Sequence, residues 1–228
     1  MKMGNCCHNK AIKKNGRLYD EIKNQIKPLD LVMFRGDDFV SDVISILEKR
    51  GHRCAKGGDF THAGMVVSSE VLNEPLLQEG KLYILESTIS GRLGSGVKNI
   101  YGMSFLGVQI RDLEEVINAY DKPNDTAIAW CPLIRSLNYA EIKPLMTDVY
   151  HTINGLMWDA NCFSLCSALC PCLRPCRPCA EKTLRTEKWL FCSEMVAIVY
   201  QGLGILPFNV CPKDVLPADL VYPKEDTD

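Results

Sequence analysis

Two blocks of this chain carry side chains whose chemistries complete each other. They are Thr61-His62-Ala63-Gly64-Met65-Val66-Val67 in the first third and Phe191-Cys192-Ser193-Glu194-Met195-Val196-Ala197 near the end. A thiol is a weak nucleophile until deprotonated, and an imidazole held beside it by a third polar group lets it act as a thiolate at neutral pH. Cys192 falls in the first turn of a predicted helix, whose N-terminal end favours negative charge and whose own N–H faces a developing oxyanion. His62 opens a predicted strand and is placed to take the thiol proton. Glu86, at the end of the next β-rich run, is placed to accept the other imidazole N–H, fix the tautomer and stabilise the imidazolium.

Each assignment has a plainer alternative. Cys192 also reads as a structural cysteine among Met195, Val196 and Val199, and His62 as a structural strand-end histidine. Glu86 also reads as a solvated edge residue, with Ser87 and Thr88 as polar competitors. Gly64 argues for a close backbone approach beside His62. Glu194 reads as a first-turn acid that complements the helix dipole. His8, His52 and His151 have no comparable context.

The elements that must position these groups follow from apolar spacing. Leu31–Phe34 reads as a short buried strand, and Phe39, Val43, Ile44, Ile46 and Leu47 as a helix ending before Gly51. A loop from His52 to Thr61 leads into a strand over Ala63–Val67, which pairs with Leu82–Leu85 across a loop containing Pro75 and Gly80. Gly91, Gly94 and Gly96 mark a turn, followed by strands at Val108–Ile110 and Ala127–Cys131. Leu113, Val116, Ile117 and Tyr120 lie between them at helical spacing. Ile142, Leu145, Met146, Val149 and Ile153 repeat the helical pattern, with Pro144 near the start, where proline costs least. A last helix runs from Cys192 to Gln201 and stops at Gly202. The class expected is α+β, an antiparallel sheet packed on the helix that bears the cysteine.

The order and setting of these blocks resemble the circularly permuted papain-like thiol hydrolases of the NlpC superfamily, in particular the YiiX-like branch and, more distantly, lecithin:retinol acyltransferase-type enzymes. The likeness spans roughly residues 28 to 220 in scattered blocks. Leu29-Asp30-Leu31-Val32-Met33-Phe34-Arg35 is similar to the family's Gly-Asp-hydrophobic-Arg start, with Leu29 in place of the glycine. His62 matches the histidine block, Tyr83-Ile84-Leu85-Glu86-Ser87 the strand bearing a glutamate, and Gly96-Val97 and Val108-Gln109-Ile110-Arg111 the stretches that follow. Trp158-Asp159 resembles the family's Tyr-Asp, Cys192-Ser193-Glu194 its nucleophile block, and Leu216-Pro217-Ala218-Asp219-Leu220 its Pro-x-Asp-Leu tail. The resemblance implies a permuted papain-like fold with Cys192, His62 and Glu86 as the catalytic set. Trp158 and Asp159 then either shape a substrate groove or pack.

With 228 residues and 46% hydrophobic content the chain can bury one substantial core. We place a basic tail and helix at 1–27, one hydrolase domain at 28–222 with a Cys-rich insertion at 162–188, and an acidic tail at 223–228. The net charge of −2 gives no broad basic footprint, which argues against a nucleic-acid binder. The charge is uneven: residues 1–27 carry +5 and residues 162–188 carry +3, leaving −10 for the remainder. Two basic segments on an acidic body point to contact with an anionic surface, and no apolar run approaches the roughly 20 residues of a spanning helix, so membrane contact would be peripheral. With no signal-peptide pattern at the N-terminus, the expectation is a cytoplasmic protein with reduced thiols.

Six of the twelve cysteines lie between Cys162 and Cys179. Three readings compete for them: a zinc clip, S-acylation on a basic loop, and a cysteine-rich helix with a proline loop. Cys176-x2-Cys179 has ligand-pair spacing but no second pair at finger distance, while Arg174 and Arg177 among apolar residues suit acylation. No metal or other cofactor is expected. Met3-Gly4-Asn5-Cys6-Cys7 is similar to a myristoylation start at Gly4 followed by palmitoylation at Cys6 and Cys7, which requires initiation at Met3 or trimming; the alternative is a basic tail.

These features lead to the expectation of a cysteine hydrolase that cleaves an amide or ester of a peptide or acyl-lipid substrate through a thioester. Transfer of the acyl group to a lipid or amine is the variant of the same chemistry. The alternative from another class is a noncatalytic lipid- or protein-binding module on the same fold.

Overall fold

Residues 31–34 and 62–67 are largely apolar at both parities of the strand period, so both faces of these strands need cover. The computed structural model describes residues 10–12, 17–35, 60–88, 96–120, 128–158 and 189–221, and it meets that need with an α+β arrangement, a sheet with helices against each face. In chain order the elements are β1 (Lys10–Ile12), α1 (Arg17–Ile22), β2 (Leu31–Phe34), β3 (His62–Val67), β4 (Tyr83–Thr88), β5 (Gly107–Asp112), α2 (Leu113–Tyr120), β6 (Ile128–Cys131), α3 (Tyr139–Ile153), β7 (Met157–Trp158), β8 (Trp189–Leu190), α4 (Cys192–Gly202), a 3-10 turn at Pro212–Asp214, and α5 (Pro217–Val221). The strand order is β1-β6-β2-β3-β4-β5-β7-β8. Every neighbouring pair is antiparallel except the parallel pair β7–β8.

Parity divides the core in two. Leu31, Met33, Met65, Val67, Leu85 and Ile110 pack with Met146, Tyr150 and Ile153 of α3 and with Met195 to Tyr200 of α4. Val32, Phe34, Val66 and Ile84 pack with Leu113, Val116 and Ile117 of α2 and with Tyr19 and Ile22 of α1. Within the segment expected as tail and helix, residues 10–12 therefore add a strand beside β6, and Tyr19 and Ile22 of α1 add cover to the second face. Helix α4 is buried from Cys192 through Gln201, as an all-round apolar helix must be.

The expected strands appear with shifted ends: β3 begins at His62, β4 extends to Thr88, and β6 begins at Ile128. Asn138 caps α3 by accepting the Ala140 N–H at 3.1 Å. Leu145, read as part of that helix's apolar stripe, is 46% exposed, because Ile142, Met146, Tyr150 and Ile153 define the face that meets α4. The helix expected around Phe39–Leu47 and the glycines 91 and 94 lie outside the described residues.

The start of β2 is pinned from three sides. Leu29 has φ +74°, a left-handed backbone that a β-carbon disfavours, yet its side chain is fully buried. Its N–H bonds Val66 O at 2.7 Å, and its carbonyl accepts the Tyr200 hydroxyl of α4 at 2.9 Å. Asp30 is buried beside it and accepts from the Lys27 N–H, the Trp130 indole and the Leu133 N–H, each at 2.8 Å. Leu29 thus takes a backbone that glycine adopts readily while carrying a core side chain.

Candidate active site

β3 delivers His62 as its first residue, opposite Phe34 of β2. The ring lies 5.7 Å from the Phe34 ring and 6.5 Å from Tyr120 at the end of α2, nearly parallel to the latter at 8°. Its side chain is 14% exposed, enough to be reached from one side. Two residues along the same face, Gly64 leaves room for the neighbouring strand. A β-carbon there would stand 2.3 Å from Ile84 Cδ1 and 3.4 Å from Glu86 Cβ. The close approach expected from Gly64 is therefore present, and it is an approach to the strand that carries Glu86.

Glu86 is wholly buried on β4, and its two carboxylate oxygens are divided between two partners. Oε2 lies 2.6 Å from His62 Nε2. Oε1 accepts Arg111 Nε at 2.6 Å and forms the ion pair with Arg111 Nη2 at 2.5 Å. Arg111 comes from β5, where its register partner is Ile84, so it shares a face with Glu86. A fully buried arginine is rare unless paired, and this one is paired with the carboxylate that holds the histidine.

Cys192 enters from the opposite layer as the first residue of α4, 7% exposed. The segment before it is fixed by Ser87 of β4, whose hydroxyl donates to Leu190 O at 2.6 Å. After it, the Ser193 hydroxyl donates to Val215 O at 2.7 Å, and Glu194 accepts the Phe191 N–H at 3.4 Å. Asp219 of the tail block caps α5 by accepting the Leu216 N–H at 3.0 Å. Ser87 is thus not a competitor of Glu86 for the imidazole; it holds the approach to the helix that begins at Cys192.

The thiol of Cys192 and the imidazole of His62 share a hydrogen bond. Since Nε2 faces Glu86, Nδ1 is the nitrogen left for the thiol. Burial by itself would lower the His62 pKa, but the negative charge and hydrogen bond of Cys192, followed by those of Glu86, outweigh it and push the value up to about 10. Burial by itself would raise Glu86. The charge of Arg111 and the hydrogen bond from His62 overcome it and hold the carboxyl below its ordinary range. Arg111, Glu86 and His62 thus alternate in sign along a chain of contacts that ends at the Cys192 thiol.

The structure therefore brings together Cys192, His62 and Glu86. Trp158 is half-buried and meets the Phe191 ring edge-on at 5.8 Å, Phe191 being the residue before Cys192. Asp159, Gly4, Cys6, Cys7 and the Cys162–Cys179 cluster lie outside the described residues. Cys131 and Cys192 are free thiols, whereas Cys211 is disulfide-bonded, unlike the reduced state expected from the sequence. Among the described residues no three metal-ligating side chains cluster, and no helix is long and apolar enough to cross a membrane.

Arg111 and Tyr120 are the site neighbours that sequence reasoning did not assign. The available signal for Arg111 was a cation beside Asp112 at the end of the strand, two residues from Gln109. For Tyr120 it was the end of an amphipathic helix. No protein-family model matches this chain, and no curated protein is significantly similar to it.

Proposed function

We propose that this protein is a cysteine hydrolase of permuted papain-like architecture that cleaves an amide or ester bond through a thioester on Cys192. The observation that carries the reading is one imidazole bonded at once to a thiol at a helix N-terminus and to a buried, ionised carboxylate. The thiolate sulfur attacks the substrate carbonyl carbon, and the carbonyl π pair moves onto oxygen, towards the Cys192 N–H. His62 gives its proton to the leaving nitrogen or oxygen as that bond breaks, which leaves a thioester. Neutral His62 then takes a proton from water as the water oxygen adds to the thioester, and collapse releases the carboxylic acid and restores the thiolate. Glu86 holds the ring and favours its charged form throughout.

Peptide and acyl-lipid substrates both suit this chemistry, and an amine or lipid acceptor in place of water gives transfer. The proposal includes a cytoplasmic setting with peripheral membrane contact, supported by the basic segments and by Gly4, Cys6 and Cys7. A thiol-directed probe, with mass spectrometry of the acyl group trapped on Cys192, tests the function. Cys192→Ala is expected to abolish turnover with the fold retained, and His62→Ala to slow Cys192 labelling at neutral pH with partial recovery at high pH. Undiminished hydrolysis by Cys192→Ala would overturn the reading.

A further inference from the structure

We propose that Arg111 is a positioning residue that keeps Glu86 ionised and so sets the pH range over which Cys192 is reactive; this rests on the assignment of Cys192 and His62 as nucleophile and base. Arg111 and Glu86 both have no exposed surface, so neither charge is balanced by water. Arg111 Nε and Nη2 converge on Oε1, while His62 Nε2 takes Oε2. One oxygen is thus assigned to the permanent cation and the other to the cation that must come and go during turnover. A guanidinium suits the first role because it does not lose its proton in a protein.

The consequence follows from counting buried charges. With Arg111 present, the four groups sum to zero when His62 is protonated and Cys192 is a thiolate. Without it, the same thiolate state buries a net negative charge, which is expensive. Two states relieve that charge: Glu86 takes a proton, or Cys192 takes one while His62 stays charged. Both weaken the imidazolium–thiolate pair, so thiolate forms only at higher pH.

Among the described residues the remaining neighbours do not replace Arg111. Across β4, the partner of Glu86 on β5 is the uncharged Gln109. Helix α2 contributes Tyr120 against the His62 ring, while its Glu114 and Glu115 are exposed. Strand β7 contributes Trp158, and α4 contributes Cys192 and Glu194, the latter engaged with the Phe191 N–H. The charges acting on Glu86 are those of Arg111 and His62, with Arg111 the larger.

The test is the rate of Cys192 alkylation by iodoacetamide from pH 4 to 10, read on the Cys192 peptide by mass spectrometry. It needs no substrate, so failure to find a turnover reaction leaves it intact. Arg111→Met is expected to move the midpoint of the rate profile up by at least about one pH unit, the shift typical of losing an adjacent opposite charge. Arg111→Lys should stay within about half a unit, since it keeps the charge. The double variant Arg111→Met/Glu86→Gln should lie within about half a pH unit of Glu86→Gln alone, because Arg111 acts chiefly through the carboxylate.

A lower amplitude at an unchanged midpoint in Arg111→Met would make Arg111 merely structural and overturn the proposal. So would a double variant displaced from Glu86→Gln by more than about half a pH unit, which also decides the matter if Arg111→Met does not fold. A wild-type Cys192 that alkylates like an ordinary thiol, indifferent to His62→Ala, would overturn the underlying site assignment as well.

Discussion

Substituting Gly64 by alanine tests whether the spacing of β3 and β4 holds the site together. The new β-carbon would lie 2.3 Å from Ile84 Cδ1 and 2.5 Å from Ile84 Cγ1, well inside van der Waals contact. Ile84 is fully buried in the core between the sheet and α1 and α2, so it cannot swing into solvent. Overpacking of this kind costs about 1–3 kcal/mol. Restricting the unfolded chain by replacing glycine returns up to about 1 kcal/mol. The difference is about 0–3 kcal/mol, and the 2.3 Å contact with a buried side chain sets it in the upper half, about 1.5–3 kcal/mol, or about 3–12 °C in Tm for a domain of this size. Any widening between the strands also lengthens the 2.6 Å His62–Glu86 contact, so Cys192 alkylation at neutral pH should slow beyond what the unfolded fraction explains. Urea unfolding followed by circular dichroism measures the first effect, and alkylation under native conditions the second. Ile84→Ala removes both clashing carbons, so in the double variant the two losses should fall short of additivity by about 1 kcal/mol or more. Strict additivity, or a Gly64→Ala protein of wild-type stability and reactivity, would refute the argument.

Two further predictions follow from backbone strain and from charge. Leu29→Gly should relieve about 1–2 kcal/mol of left-handed strain but remove a fully buried side chain of a kind that costs about 3–5 kcal/mol to truncate, so a net loss of about 1–4 kcal/mol is expected in urea unfolding; a gain would mean that strain outweighs packing. The His62 ring should remain protonated well above pH 6.5 and titrate near 10, as read by NMR of the ring carbons and nitrogens. Because its folded pKa is raised, its stabilising contribution is complete below about pH 6.5 and fades as pH rises through 10. Removing the thiolate in Cys192→Ala should lower that midpoint; a wild-type midpoint near 6.5 would refute the charge assignment.

The five central strands and the helix that begins at Cys192 were legible because their signals are local. A run such as Leu31-Val32-Met33-Phe34 announces a strand covered on both faces, and the apolar stretch from Cys192 ending at Gly202 announces a buried helix with its own stop. Positions that depend on tertiary partners were not. Leu145 fits the 3.6 period as well as Met146 does, and only the placement of α4 decides which is covered. Leu29 carries no mark of a left-handed backbone; the bonds to Val66 and Tyr200 impose it from elements far along the chain.

The same distinction runs through the site. His62, Gly64 and Cys192 were found because thiol, imidazole and glycine in apolar blocks are locally unusual, and Glu86 followed from the need for a third polar group on the next strand. Arg111 escaped because a single arginine in a strand ordinarily reads as a solvent-facing charge. Its burial becomes intelligible only through the register that places it opposite Ile84, on the Glu86 face. Once Glu86 is assigned to a dry interior, however, a cation is required by charge balance alone: a carboxylate without exposed surface and with one titratable partner would be protonated during part of the catalytic cycle, whenever His62 is neutral. Among the residues resembling the strand that follows, Arg111 is the one able to meet that requirement. A carboxylate proposed to orient a histidine within an apolar strand therefore directs the search to the next strand for its permanent counter-charge.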